Sequence, residues 1–172
     1  MAGRRAMILA MLFALPGCDS EPAAPPPEKA PPALFPAGDY EVSALTETLR
    51  SSDRADSKAA PLTRHKLGST DVTKICSPAG AKPTPALFTD PGDSCQMTAD
   101  YARNGRLNMA FECRRPGHGP LAVTLDGNYD EDSFEVEVVT ATRFSGPGDY
   151  ALTQRLKGKR LGDCAAPAKS AG

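Results

Sequence analysis

The sequence predicts an all-β fold: a single antiparallel sheet of about eight strands, strongly curved or partly closed into a barrel and stapled by two disulfides. Three observations predict it. Beyond Gly38 the apolar residues alternate with polar ones instead of recurring every three or four positions. Turn dipeptides such as Asn104-Gly105 interrupt this alternation at short intervals. Of five cysteines, four lie in the patterned region at Cys76, Cys95, Cys113 and Cys164, an even number suited to two disulfides in an oxidising compartment.

A chain of 172 residues allows one domain, with room for a tail. Its formal charge of -1 offers no basic face for phosphates, which sets nucleic acid aside as a partner. The chain also lacks the run of about 18 apolar residues that a spanning helix requires.

The N-terminus reads as an address. Arg4 and Arg5 precede an apolar stretch, Ala6 to Leu15, of signal-peptide length. Leu15-Pro16-Gly17-Cys18 resembles the lipobox of bacterial lipoproteins. That resemblance implies removal of residues 1–17, lipidation of Cys18 and a membrane partner reached through the lipid anchor. An ordinary signal peptide, leaving Cys18 as an odd cysteine, is the alternative. Asp19 resembles the retention signal of enteric bacteria, which favours a periplasmic protein on the inner rather than the outer membrane. Residues 18–37 carry the proline-rich run Glu21 to Pro36, whose missing donors and fixed φ make an extended, solvated tether. The same prolines would also serve as a polyproline ligand.

The β domain is expected over residues 38–164, with a flexible tail at 165–172. Its candidate strands are Asp39 to Leu49, Leu62 to Lys66, Val72 to Cys76, Cys95 to Ala102, Arg106 to Cys113, Leu121 to Tyr129, Ser133 to Thr142 and Tyr150 to Lys157. Ser77 to Asp93, with four prolines, reads as a surface loop. In the Asn104-Gly105 hairpin, Cys95, Met97, Ala99 and Tyr101 share one face, and Leu107, Met109, Phe111 and Cys113 share one face of the next strand. Both sets face one core only if the loop is Arg103-Asn104-Gly105, with a bulge at Gly105, which sets Met97 opposite Phe111 and Cys95 opposite Cys113. That register predicts a Cys95–Cys113 disulfide and leaves Cys76–Cys164 by elimination. The following hairpin needs an even loop, Glu131-Asp132 or all of Asp130 to Ser133, to keep Tyr129 and Phe134 inward.

Gly38-Asp39-Tyr40-Glu41-Val42, Ile75-Cys76, Asp93-Ser94-Cys95, Phe111-Glu112-Cys113 and Lys159-Arg160-Leu161-Gly162-Asp163-Cys164 resemble the domain-of-unknown-function family 3617, small exported bacterial proteins. The resemblance spans roughly residues 37 to 164. It implies an exported β domain with paired cysteines, and it brings no activity and no catalytic residues.

Chemistry-bearing patterns are sparse. Asp126, Asn128, Asp130 and Glu137 fall at positions 1, 3, 5 and 12 of an EF-hand loop, but Glu131 stands where the turn needs Gly and strand patterns replace the flanking helices, so a solvated acidic turn is the preferred reading. The cysteine spacing does not suit zinc, and the pattern calls for no metal and no cofactor. His65 and His118, the only histidines, are read as exposed polar residues. The basic cluster Arg155, Lys157, Lys159 and Arg160 reads as an edge strand protected by its charges, or, with Arg114 and Arg115, as a contact for headgroups or an acidic partner. Two functions follow. The first is a membrane-tethered, non-catalytic binding or interaction module of the envelope, meeting a protein, a glycan or an apolar small molecule. The alternative is a small envelope hydrolase with a site assembled across strands. A deep apolar pocket supports the first; a cleft joining His65 or His118 to a carboxylate and a hydroxyl supports the second.

Overall fold

The computed structural model describes residues 30–53, 59–78 and 82–164. The signal segment, Cys18, most of the tether and the tail at 165–172 lie outside the described residues. Seven strands form one antiparallel sheet: β1 Gly38–Ser51, β2 Thr70–Ser77, β3 Ser94–Arg103, β4 Arg106–Arg115, β5 Gly119–Tyr129, β6 Ser133–Thr142 and β7 Tyr150–Gly162. Their order across the sheet is β2-β1-β7-β6-β5-β4-β3. The expected eighth strand, Leu62 to Lys66, is irregular chain. Its alternation reflects anchoring over the sheet's upper end, where the Leu62 amide donates to Gly148 O (2.8 Å) and Gly68 N to Thr46 O (2.9 Å).

An odd number of antiparallel strands leaves the two edges, β2 and β3, pointing the same way, and they do not pair with each other. β2 ends at the lower end of the sheet, opposite Gly38, while β3 starts at the upper end, opposite Arg114. The connection therefore runs back up between the edges. It is not the surface loop that its prolines suggest. Its 3-10 turn Pro85–Leu87 touches both edge strands, and Leu87 and Phe88 are buried. Phe88 stacks on Phe111 of β4 and meets Phe134 of β6 edge-on, so one ring reaches two strands across the curled interior.

The Asn104-Gly105 hairpin corrects the expected register. Arg103 pairs with Arg106, giving a two-residue turn with positive φ at both central residues, +50° at Asn104 and +78° at Gly105, the geometry that follows the twist of a hairpin. The extra residue that face consistency demands sits inside β3, where the register slips at Thr98 between the Met97–Phe111 and Ala99–Ala110 pairs. Below this bulge the parity reverses. Ala102 is buried and Tyr101 is exposed, contrary to expectation, while Met97 and Cys95 stay inward. Cys95 faces Cys113 in either account, and the two are disulfide-bonded with Cα atoms 4.0 Å apart. Cys76 bonds Cys164. In the next hairpin Tyr129 pairs with Phe134, as an even loop requires.

The interior divides into an aromatic lower half and a polar upper half. Phe35 is 4% exposed and packs on Tyr40, Tyr129 and Phe134 at ring separations of 5.3–5.9 Å. The folded part therefore begins before Gly38, because the last tether residues close the lower end. Leu34 bridges to Arg103, and the Asn104 amide donates to Ala33 O (3.1 Å). Phe134 lies directly over its cross-strand partner Gly158, where a side chain would collide with the ring.

The strand carrying Arg155, Lys157, Lys159 and Arg160 is not an edge. β7 is at the centre, between β1 and β6. Its outward charges meet acids of both neighbours, since Arg155 Nε donates to Glu47 (2.7 Å) and Lys157 lies 3.3 Å from Glu135, whereas Arg160 falls on the Tyr40 side and donates to Ala37 O (2.7 Å). Alternation with one solvated face looks the same at the centre and at the edge.

Candidate functional site

The polar upper half converges on His65. The chain before β2 carries it inward, where it is 5% exposed, contrary to the reading of an exposed histidine. Its Nδ1 lies 2.9 Å from Asp71 Oδ2 at the start of β2, and its Nε2 lies 2.7 Å from Asp90 Oδ1 on the connection between the edges. The Gln154 carboxamide of β7 is 3.4 Å from Nδ1. An imidazole donates from both nitrogens only when protonated. The hydrogen bond to Asp90 raises the affinity of His65 for a proton against the opposing effect of burial, and the two carboxylate partners favour the imidazolium.

Arg115, the last residue of β4, is the second centre. Its guanidinium grips Asp93 with two parallel hydrogen bonds, Nε to Oδ1 (2.9 Å) and Nη2 to Oδ2 (2.8 Å). Nη2 also donates to Asp90 Oδ2 (2.8 Å), and Nη1 donates to Tyr150 Oη (2.8 Å) and Leu62 O (3.3 Å). The Asp93 hydrogen bonds hold Arg115 above its already high ordinary value. Burial pushes Asp90 upward, but the His65 hydrogen bond and the charges of His65, Arg115 and Arg64 outweigh it and hold the carboxyl below its usual range. Burial raises Tyr150 despite the neighbouring arginine, which keeps its hydroxyl a neutral acceptor for Nη1.

Asp90 thus joins two cations, and the cluster ties the 59–69 chain, the edge connection, β4 and β7 into one lid. It is a saturated arrangement. Both His65 nitrogens face carboxylates, leaving neither for a substrate proton. Beside it, an open groove of about 470 Å³ on the upper end is lined by Leu62, Thr63, Arg64, Pro91, Arg115 and His118. His118 is exposed and packs its ring 5.5 Å from Phe144, without joining His65. The acids of the EF-hand pattern do not converge. Asp126 and Glu137 are cross-strand partners, and the Asp130 carboxylate closes its own turn through Asp132 N (2.8 Å) and Ser133 N (2.7 Å). Among the described residues the close grouping of metal-type ligands is Asp39, Cys76 and Cys164, whose two sulfurs are joined as a disulfide. Sequence reasoning missed the cluster because its members are isolated polar residues scattered over irregular chain, at His65, Asp90 and Asp93, and over β2, β4 and β7, at Asp71, Arg115 and Tyr150. The only local hint is the doubled Asp90 and Asp93 beside apolar Leu87 and Phe88.

The paired shifts predict a pH profile. His65 is raised, so its contribution is complete below about pH 6.5 and is lost as pH rises through the folded value. Asp90 is lowered, so its contribution is present above about 4 and is lost as pH falls through its folded value. Thermal melts of wild type and His65→Gln from pH 5 to 9 should show an alkaline decline in the difference between them. Parallel profiles would refute the assignment.

No curated protein and no solved structure matches the chain. Residues 35–164 match the family model described as protein of unknown function (DUF3617), the span that holds the seven-stranded sheet, the aromatic floor and the His65–Arg115 lid, and the chain belongs to that family.

Proposed function

We propose that the protein is an exported, lipid-anchored binding module of the cell envelope, held at Cys18 and free of catalytic activity. The observation that carries the non-catalytic reading is the double engagement of His65. A general base needs one nitrogen within reach of the proton that it takes, and both nitrogens here bond carboxylates. Arg115 is likewise consumed by Asp93, Asp90 and Tyr150. The polar cluster then has a structural role, fixing irregular chain over one end of a rigid sheet, which is how binding surfaces are built. The anchoring reading draws support from Ala33 and Phe35, which bring the N-terminal segment out at the lower end, opposite the lid.

Fatty-acid labelling of the expressed protein should be lost in Cys18→Ser, and retention of the label would refute the anchor. Chromogenic ester, glycoside and peptide substrates should show no turnover that depends on His65. Turnover abolished by His65→Asn in a variant that keeps its near-ultraviolet circular dichroism would establish the hydrolase alternative instead.

A further inference from the structure

We propose that the outer face of the sheet carries a site for a soluble organic anion, a carboxylate or a phosphate ester, held between Arg114 and Arg143. This deepens the binding reading by naming a ligand chemistry and a place. Arg114 and Arg115 are consecutive in β4, so their side chains leave opposite faces: Arg115 enters the lid, and Arg114 points outward. Arg114 pairs across the sheet with Pro120, and the Arg143 amide donates to Pro120 O (3.0 Å). The two arginines therefore flank Pro120 at two strand spacings, about 10 Å between backbones, a span that two long side chains close around one anionic group.

The next row down is Glu112, Ala122 and Ala141, paired in register across β4, β5 and β6. The two exposed alanines leave a trough. These residues line a depression of about 650 Å³, which lies within the range of ligand-binding clefts. Charge gives the trough its preference, two guanidiniums against the single carboxylate of Glu112 in the row below. Among the described residues, neither Arg114 nor Arg143 has an ion pair or a side-chain hydrogen bond. Elsewhere on the outer face Arg155 is matched by Glu47 and Lys157 by Glu135. An anion placed between Arg114 and Arg143 gains charge-assisted hydrogen bonds without breaking any, while its organic portion covers Pro120 and the alanine methyls. Membrane headgroups supply the same chemistry as soluble esters. The trough lies towards the upper end, however, and the N-terminal segment leaves at the lower end, which points to a soluble ligand.

The test uses the purified protein, labelled for NMR and titrated with inorganic phosphate, n-octyl phosphate and phosphatidylglycerol vesicles. The Ala122 and Ala141 amides and the Arg114 and Arg143 Nε–H groups should shift with both small probes. Octyl phosphate should bind about tenfold tighter than phosphate, the equivalent of covering roughly two methylenes. Arg114→Gln/Arg143→Gln should weaken octyl phosphate at least tenfold, and Arg64→Gln, on the upper groove, should leave it unchanged. The proposal is overturned by absent shifts, by shifts that survive the double variant, or by vesicle binding that depends on these arginines while octyl phosphate fails to bind. Hydrolysis of octyl phosphate bound there would sink the non-catalytic reading and leave the site standing.

Discussion

Arg115→Ala is expected to destabilise the domain by about 3–5 kcal/mol, the cost of removing one partner from a buried charge network. The carboxylates it leaves behind cannot turn to water. The Asp93 side chain is 2% exposed and that of Asp90 17%. Tyr150 Oη loses its donor in the same step. Urea unfolding should show a lower midpoint at unchanged slope. Arg115→Lys keeps a charge but not the planar fork that meets Asp93 through two bonds, so it should recover only part of the loss. A change below about 1 kcal/mol in the alanine variant would mean that the lid contributes nothing to stability, and the structural role given to His65 would fall with it.

Breaking the Cys76–Cys164 bond is the second large effect. The bond joins residues 88 positions apart, and in the chain-entropy model closing a loop of that length is worth about 4–5 kcal/mol, against about 3 for the 18-residue separation of Cys95 and Cys113. Cys76→Ala/Cys164→Ala should therefore lower stability more than Cys95→Ala/Cys113→Ala, although the second pair includes Cys113, buried in the core. Equal losses, or the reverse order, would show that core packing at the hairpin outweighs loop closure.

Strand existence was legible because inward and outward residues alternate, and the disulfide pairing followed from it. The position of the β3 bulge was not. One extra residue in the turn and one at Thr98 restore the same register at Met97 and Cys95; between them the faces of Ala99, Asp100, Tyr101 and Ala102 change, and Asp100, set opposite Met109, stays solvated on the edge strand beside Lys82. Leu62 to Lys66 looked like a strand because Thr63 and His65 turn inward while Leu62, Arg64 and Lys66 are exposed, an alternation that irregular chain reproduces over so short a span. The lid was illegible for a different reason. Asp90, Asp93, Arg115 and His65 are each ordinary surface residues in sequence, and only the path of the edge connection brings their charges together. Charge compensation is a property of three-dimensional neighbours and has no period along the chain.

The place where the chain enters the sheet has a mechanical consequence. β1 begins at Gly38 and is hydrogen-bonded on both sides, to β2 over its first half and to β7 over nearly its whole length. Tension applied at Ala37 and resisted at the upper end runs along the strand axis, across hydrogen bonds that lie perpendicular to it. The load is shared by two ladders in shear instead of opening one pair at a time, as it would if the chain entered through a hairpin. The Cys76–Cys164 bond links the chain on either side of β1 at the loaded end. Once the contacts of Ala33 to Phe35 have given way, a pull from the N-terminus thus meets the most firmly held strand.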